Sequence, residues 1–456
     1  MGLAIPTWFV LKIRRLYKVY VTGIFKFYKS THTTNMNKRL FIKRLALAGF
    51  SAPFSSKAMT KWLDKVGNKS AVELAMDEDF WSGIRGGYKL KPDYINLENG
   101  YYNFLPEELL EHFIRQVRTV NYEGSYYMRT VQFENKKNMA ARLAGLAGCA
   151  TDELIITRNT TESLDMIIGG RQWKAGDETV MALQDYGSML EMFKQVAKRY
   201  GIVNKIISVP NHPASDEEIV DLYAKVITSN TRLLMISHMV NITGQILPVR
   251  KICDMAHQKG VAVMVDGAHA FAHIQFKIAD LNCDYYGASL HKWLSTPLGA
   301  GILYVRKEKI AGIWPLLAEG ERKEDDISRL NHIGTHPVHT DLAIGGAIDY
   351  YLKIGAERKE TRLRYLQQYW TSKVRSVPKV MVNTPADPSR ACGIANVGIT
   401  GMKPAVLAET LLKKYKIYTV AIDYANVQGC RITPNLYTMP AELDVLVNAL
   451  TELSKG

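Results

Sequence analysis

The first 63 residues of the chain contain no aspartate or glutamate, and Asp64 is the first acidic residue. The same residues hold 12 lysines and arginines, and the whole chain has a formal net charge of +14. Removing 12 from 14 leaves a net charge of about +2 for the rest of the chain. A nucleic-acid-binding domain usually carries a basic surface on its folded part. Since the body is nearly neutral, the sequence predicts no nucleic-acid partner.

Cysteine is scarce and never occurs as a Cys-x-x-Cys pair. The five cysteines are Cys149, Cys253, Cys283, Cys392 and Cys430. An odd number of widely spaced cysteines excludes a regular disulfide framework and a cysteine-based zinc site. We therefore predict no metal site and interpret most of these residues as small buried apolar side chains.

The basic leader, residues 1–63, also lacks an uninterrupted apolar run long enough to cross a bilayer. Residues 4–25 are apolar and aromatic, but Lys12, Arg14, Arg15 and Lys18 interrupt them. Such a stretch is compatible with binding to an anionic membrane surface. It is equally compatible with an upstream extension that the cell does not make, because Met36 is a plausible start. Membrane contact is predicted only through this leader.

Residues 37–58 resemble a twin-arginine export signal. Lys38 and Arg39 stand where that signal has two arginines, and a short apolar segment follows at residues 45–50. Ser56-Lys57-Ala58 is a candidate cleavage site. The alternative is a basic arm without fixed structure. The sequence thus leaves two locations open, the cytoplasm and the periplasm.

The body alternates short apolar runs with amphipathic helical patterns. The predicted strands are residues 153–157, 179–183, 204–209, 232–237, 261–265, 285–289 and 301–305. This alternation predicts an α/β fold with a mainly parallel seven-stranded sheet and helices on both faces.

Four segments are predicted along the chain. From Asp341 to Val374 the sequence has one long helical pattern, and strands and helices alternate after it. This change of pattern predicts a separate, smaller α+β domain at the C-terminus. The segments are the leader at 1–63, an N-terminal segment at 64–110, a large cofactor-binding domain at 111–340 and a small domain at 341–456.

Two polar residues follow neighbouring predicted strands. Asp266 ends the apolar run 261–265, and Lys292 follows the run 285–289 among aromatic and apolar neighbours. Desolvation lowers the pKa of an amine and makes it a better nucleophile toward an aldehyde. An acid and a lysine placed in this way can hold a cofactor through a ring nitrogen and a Schiff base. A structural lysine and an aspartate in a turn remain the alternatives.

A third element is a candidate anion site at residues 158–163, where a strand turns into a helix. The backbone amides at the helix N-terminus and the hydroxyls of Thr160 and Thr161 suit a phosphate group. Ser289 and His291 can add two donors, because they precede Lys292 on the same loop. The alternative is an ordinary helix cap.

With these motifs in order, the sequence resembles the class V aminotransferase-type enzymes of pyridoxal-phosphate fold type I, in particular the isopenicillin N epimerase-like branch. The resemblance covers roughly residues 93–455. Its motifs are Asn99-Gly100, Asn159-Thr160-Thr161-Glu162, Ser237-His238 with Asn241 and Gly244, Asp266-Gly267-Ala268-His269, Ser289-Leu290-His291-Lys292, Gly334-Thr335, and Arg431 with Pro434-Asn435-Leu436-Tyr437. Any one of them is weak, but the ordered set is specific.

The resemblance implies pyridoxal 5'-phosphate as cofactor. It implies that Lys292 forms the Schiff base and moves the Cα proton, and that Asp266 pairs with the pyridine nitrogen. It places His269 at the phenolic oxygen, Tyr186 over the ring, and Asn241 beside cofactor and substrate. The phosphate residues it implies are Thr160, Thr161, Ser289 and His291, with Thr335 reaching the phosphate of a neighbouring subunit in a homodimer that shares its sites. Asn99 and Arg431 are the implied residues for the substrate carboxylate.

The expected activity is chemistry at Cα of an amino acid or amino-acid derivative. Epimerase, aminotransferase and β-lyase outcomes all stay open. Racemisation would need a second acid, for which Tyr101, Tyr102 and His336 are hypothetical candidates. Cysteine desulfurases of this class carry a nucleophilic cysteine before the final motif, and residues 415–429 contain neither cysteine nor arginine. This lowers the rank of desulfurase activity without excluding it.

Two readings from other classes remain. One is a non-catalytic regulator built on a pyridoxal-binding fold, although such regulators usually carry a separate DNA-binding domain. The other is a membrane-surface structural protein, which rests only on residues 1–50. The joint presence of Lys292 and Asp266 favours catalysis over both.

Overall fold

The computed structural model describes residues 69–317, 319 and 321–456. The predictions for the leader, including the export signal at residues 37–58 and the start at Met36, lie outside these residues. Within the described part of the chain, no helix is long and apolar enough to cross a lipid bilayer.

A seven-stranded sheet forms the centre of the fold. The first strand of the chain, β1 (Ile95–Asn96), has two residues and does not belong to this sheet. The strands of the sheet are β2 (Leu154–Thr157), β3 (Glu178–Ala182), β4 (Val203–Ile207), β5 (Thr231–Ser237), β6 (Ala262–Asp266), β7 (Tyr285–Ser289) and β8 (Gly301–Val305). Their spatial order is β2-β8-β7-β6-β5-β3-β4. The strands from β7 to β4 are parallel, and β8 is antiparallel to both β7 and β2. The predicted mainly parallel seven-stranded sheet is confirmed.

Helices cover both faces of this sheet and also pack against the C-terminal part of the chain. In the described residues they are α1 (Ala71–Ala75), α2 (Glu78–Arg85), α3 (Glu107–Glu123), α4 (Gln132–Ala147), α5 (Thr160–Gly170), α6 (Gly187–Tyr200), α7 (Asp216–Ala224), α8 (Val249–Gln258), α9 (Ile278–Leu281), α10 (Val338–Ile354), α11 (Ala356–Val374), α12 (Pro404–Tyr415) and α13 (Pro440–Leu453). Short 3-10 turns lie at Thr151–Glu153, Lys307–Gly312, Ile327–Asn331 and Pro388–Arg390, and a π-helical turn lies at Tyr127–Val131.

Alternate side chains of the central strands enter two separate cores. Leu234 of β5 packs in one core with Ile252 of α8. Leu233, the preceding residue, packs on the other face with Phe193 of α6. Only Arg232 of β5 is exposed. Because helices cover both faces, these strands are apolar at nearly every position, as a buried parallel sheet requires.

A smaller antiparallel sheet lies in the C-terminal part of the chain. Its region contains β9 (Val380–Val382), β10 (Ala395–Ile399), β11 (Ile417–Tyr418), β12 (Val420–Tyr424) and β13 (Val427–Ile432). The sheet order is β12-β13-β10-β9, while β11 pairs with β1. Its core includes side chains from α11, α12 and α13. The predicted smaller C-terminal α+β unit is confirmed, whereas the domain boundaries at 63, 110 and 340 stay predictions.

The long helix predicted from Asp341 to Val374 is two helices, so that prediction was wrong. The chain breaks between α10 and α11 at Gly355, whose φ of 91° lies outside the helical range. Glycine adopts this conformation without a Cβ clash. The helical periodicity continues across the break, which is why the pattern alone did not reveal it.

The N-terminal segment runs along the small sheet. β1 pairs in parallel with β11, and Glu98 forms a parallel bridge with Thr433, just after β13. This pairing carries residues 98–103 toward the carboxyl ends of the large sheet. At that edge Ser237 and Asp266 are register partners, and parallel α/β sheets bind ligands there.

Candidate active site

Lys292 lies on the turn that follows β7. Its Nζ is 3.1 Å from Nε2 of His269, which follows β6. Burial lowers the pKa of Lys292 to about 8, while the carboxylate of Asp266 acts in the opposite direction. A larger fraction of this amine is therefore uncharged near neutral pH than of an exposed lysine, so it can act as a base or nucleophile.

The backbone of the Lys292 turn is held by residues from distant parts of the chain. The Asn103 side chain donates to the carbonyl of Lys292, and Asn435 Nδ2 donates to Asn103 Oδ1 at 2.9 Å. The Lys359 amine donates to the carbonyl of Trp293. The sequence analysis assigned no role to these three polar residues, because their contacts join positions between 66 and 332 residues apart.

Asp266 is a buried acid at the end of β6. One carboxylate oxygen, Oδ1, accepts from the backbone N–H of Ala268 at 2.9 Å. Burial raises the pKa of Asp266, and the nearby Lys292 charge opposes that rise. A buried carboxylate is costly without a cationic partner, so this position favours a protonated ring nitrogen or an ammonium group.

A second buried acid, Asp185, stands next to Asp266 and was missed by the sequence analysis. It accepts from the N–H of Ser237 at 3.1 Å, from Ser237 Oγ at 2.7 Å and from the N–H of Ala182 at 2.8 Å. Burial raises the pKa of Asp185 to about 7. Its contacts fasten the end of β5 to the turn that carries Tyr186.

His269 is held through its ring by Trp293 and through its carbonyl by His273, whose Nδ1 donates to it at 2.8 Å. Trp293 Nε1 donates to His269 Nδ1 at 3.4 Å, which leaves the proton on Nε2, facing Lys292. Burial lowers the pKa of His269 well below its ordinary value, so the ring is neutral. His273 stacks on Trp293 with centroids 3.6 Å apart and accepts from the N–H of Gly393 at 2.9 Å.

Thr160 and Ser289, two residues of the predicted anion site, lie in contact with each other. Asn159 caps α5, and the N–H of Thr160 donates to Ser289 Oγ at 2.9 Å. The Thr160 and Ser289 hydroxyl oxygens are 2.7 Å apart, while Thr161 occupies the next position in the first turn. His291 Nδ1 is buried with no hydrogen-bond partner among the described residues. Hydroxyls, helix amides and a free imidazole nitrogen together suit a phosphate.

Tyr186 and Asn241 both lie near Tyr424, a residue of the small sheet. Tyr186 precedes α6 and is 41% exposed. Tyr424, on β12, lies beside Asn241 and within electrostatic range of Tyr186. The Asn241 carbonyl accepts from Arg431 Nη1 at 3.2 Å. Tyr424 is a further residue that the sequence analysis did not single out.

The two residues predicted for the substrate carboxylate are both bonded within the protein. Asn99 Nδ2 donates to the carbonyl of Thr433 at 2.6 Å, and Asn99 Oδ1 accepts from Asn96 at 2.9 Å and from the Tyr437 hydroxyl. Arg431, on β13, forms a buried ion pair with Glu98, with its Nη2 atom 2.6 Å from Oε1. The roles of Asn99 and Arg431 stay predictions.

The remaining predicted residues lie on more exposed loops. Thr335 is exposed next to Gly334, before α10. His336 Nε2 is 2.9 Å from the Asp341 carboxylate. Tyr101 is 74% exposed, whereas burial raises the pKa of Tyr102. Among the described contacts within one chain, none joins these residues to Lys292.

None of the five thiols is well placed as a mobile nucleophile. Cys253, Cys283, Cys392 and Cys430 are buried, and Cys149 is partly buried. Cys430 lies beside Arg431, and burial raises its pKa to about 12. A thiolate is therefore disfavoured at that position.

Comparisons with known proteins cover most of the chain. The sequence pattern of the Aminotransferase class-V family matches residues 108–421. The isopenicillin N epimerase of Amycolatopsis lactamdurans is 27% identical over 395 residues, which span 82% of this chain and 99% of that protein. The cysteine desulfurase of Haloferax volcanii is 23% identical over 384 residues, 78% of this chain and 88% of that protein. The apo structure of the Thermococcus onnurineus NA1 cysteine desulfurase superposes with a TM-score of 0.73 at 20% identity, over 83% of this chain and 98% of that one.

Proposed function

The chain belongs to the aminotransferase class-V family, and from this premise we propose that it acts at Cα of an amino acid or amino-acid derivative. The family resemblance and the fold type I architecture predicted from the motifs are confirmed. Enzymes of this family use pyridoxal phosphate. The observation that carries the proposal is the cluster of Lys292, His269 and Asp266 beside the anion site of α5.

The residues present fit pyridoxal phosphate. The unpartnered His291 Nδ1, the Thr160 amide and the Ser289 hydroxyl suit its phosphate, and Thr161 adds a second hydroxyl at the same turn. Asp266 suits the pyridine nitrogen, and the exposed ring of Tyr186 offers a flat surface. When bound, the cofactor supplies an aldehyde that binds amines and a ring that withdraws electrons from the substrate Cα.

The side chains divide the work around that ring. The Lys292 amine, with its lowered pKa, takes the proton from the substrate Cα and can return it. The negative charge of Asp266 keeps a proton on the ring nitrogen, which strengthens the withdrawal of electrons. His269 offers its Nε2–H to an oxygen on the Lys292 side of the site. Asn241, whose carbonyl accepts from Arg431, is proposed to contact both cofactor and substrate.

Proton exchange at Cα, as in an epimerase, is our first choice over sulfur transfer. The buried thiols support this choice, because a desulfurase needs an accessible cysteine nucleophile. The cysteine desulfurase or β-lyase outcome is the second candidate, supported by the similarity to desulfurases. The second proton donor of an epimerase is proposed among Tyr101, Tyr102 and His336. An amino-acid panel scored for Cα exchange, keto-acid product and sulfide separates these outcomes.

We also propose that two copies share their sites through Thr335. Three large side chains near the α3–α4 junction are exposed: Tyr122 (91%), Phe133 (69%) and Tyr126 (57%). Lys136, on the same helix as Phe133, donates to Asn331 at 3.2 Å. This bond connects the patch to the loop that precedes Thr335. A second copy would cover these rings and bring Thr335 to the partner's phosphate. Light scattering that gives the mass of one chain would contradict this assembly.

The experiment for the main proposal is cofactor loading of the chain from Met36 onward. Pyridoxal phosphate should produce a near-ultraviolet or visible absorbance band that the Lys292→Ala variant lacks. Lys251→Ala is the matched control, because Lys251 is an exposed lysine paired with Asp216 and Glu217, and it should keep the band. A wild-type protein without the band would refute the proposal.

A further inference from the structure

Glu98 occupies the edge of the Arg431 guanidinium formed by Nε and Nη2. Glu98 Oε2 accepts from Arg431 Nε at 3.1 Å, and Oε1 accepts from Nη2 at 2.6 Å. This is the bidentate geometry that carboxylate ligands form with arginine. Glu98 Oε1 also accepts from the N–H of Tyr101 at 3.0 Å. The side chains of Arg431 and Glu98 are only 9% and 6% exposed.

Both partners of this ion pair are fixed by the backbone around them. The N–H groups of Asn99 and Gly100 donate to Thr433 Oγ1 at 2.5 and 3.1 Å, which anchors the chain next to Glu98. A Cβ atom on Gly100 would lie 2.9 Å from Arg431 Cζ, so the guanidinium rests directly on the backbone there. The pair is therefore built into the fold.

The pair also lies within the electrostatic range of the reactive amine. The positive charge of Arg431 lowers the pKa of Lys292, and the negative charge of Glu98 raises it. These opposite effects cancel in part, so the pair adds little net charge to the pocket. An approaching carboxylate consequently encounters the neutral Arg431–Glu98 ion pair and not a free guanidinium.

We propose that Glu98 is a specificity-determining residue that competes with the substrate carboxylate for Arg431. The inference rests on the proposed function, because it takes Arg431 as the arginine that faces that carboxylate. An incoming carboxylate must replace two hydrogen bonds and leave the Glu98 charge without its partner, which is costly in a buried site. Simple carboxylates therefore bind the wild-type protein weakly.

The test uses the cofactor-loaded full chain and propionate, a carboxylate without an amine. Calorimetry should show that Glu98→Gln binds propionate about tenfold more tightly than the wild type, equivalent to about 1.4 kcal/mol. Glutamine keeps the size of the side chain and removes its charge. The gain should vanish in the double variant Glu98→Gln with Arg431→Gln.

A matched control is available in the ion pair of Arg362 with Glu78, in which the arginine is fully buried and the glutamate is 35% exposed. Glu78 bonds Arg362 at 2.6 and 3.0 Å, and Glu78→Gln should leave propionate affinity unchanged. Glu98→Asp retains the charge and shortens the side chain by one methylene. It should give a smaller gain of the same sign, and it serves as the test if Glu98→Gln does not fold.

Wild-type affinity in both Glu98 variants, or a gain that survives in the double variant, would overturn the competition. The absorbance band of the loaded protein tests the proposed function independently of propionate binding. Propionate has no amine and cannot react with an aldehyde, so its affinity reports only on the carboxylate site. A propionate gain without that band would refute the proposed function and leave the competition standing.

Discussion

Two lysines beside the same turn have lowered pKa values for the same primary reason and yet have different surroundings. Burial lowers the pKa of Lys292 to about 8 and that of Lys359 to about 7. Lys292 faces the carboxylate of Asp266 at the carboxyl edge of the large sheet. Lys359 lies 5.4 Å from the centre of the Tyr351 ring and donates to the Trp293 carbonyl.

This contrast teaches that a low pKa alone does not identify a nucleophile. Lys359 is 5% exposed, and its amine is bonded to the backbone that carries Lys292. It therefore positions the turn and has no access to a ligand. Lys292 is partly exposed, next to His269, and its amine can reach one. Two features distinguish Lys292 from Lys359: its location at the carboxyl ends of the strands and the neighbouring carboxylate of Asp266.

The largest effect on activity is expected from removing the charge of Asp266, the acid that faces Lys292 and does not face Lys359. Asp266→Asn should reduce Cα hydrogen exchange roughly a hundredfold, because the site loses the charge that stabilises the transition state. The measurement is deuterium incorporation from solvent into a substrate that the wild type exchanges. Asp284→Asn is the control, since Asp284 is also buried but directly precedes β7, at the opposite edge of the sheet. An exchange rate within twofold of the wild type in Asp266→Asn would contradict the assignment.

A smaller effect is expected for Lys359, whose lowered pKa should make the free energy of unfolding depend on pH. Its folded pKa of about 7 is below the ordinary 10.5, so the unfolded chain binds more protons between these values. Lys359 should therefore add about 2 kcal/mol to the rise in the free energy of unfolding between pH 7 and pH 9. Lys359→Met should lack this contribution, so its rise should be smaller than that of the wild type by about this amount.

Urea unfolding at the two pH values measures the difference between the variants. Lys251→Met, at an exposed lysine, should keep the wild-type slope. Equal pH slopes in the wild type and in Lys359→Met would show that Lys359 is charged in the folded protein, and the contrast with Lys292 would then fail.

The sequence predicted the large sheet and the strand-end residues because both depend on local patterns. Apolar runs separated by helices define the strands, and Asp266, Ser289 and Lys292 follow strand ends directly. Their convergence is a consequence of parallel strand order. The candidate anion site was predicted in the same way, since Thr160 begins a helix shortly after the end of β2.

Other parts of the site depend on contacts between distant residues, which no local pattern reveals. Glu98 and Arg431 are 333 residues apart and meet because β1 pairs with β11. Asn103 and Lys359 bond to carbonyls of the Lys292 turn, and backbone carbonyls leave no signature in a sequence. The break at Gly355 was missed because a helical pattern continues on both sides of it.

We propose that Lys292, and not the buried Lys359, carries the cofactor. Borohydride reduction of the protein loaded with pyridoxal phosphate, followed by proteolysis and mass spectrometry, identifies the modified residue. The predicted result is one pyridoxyl adduct, on the peptide that contains Lys292. An adduct on Lys359, or an unmodified Lys292 in protein that shows the absorbance band, would contradict the account.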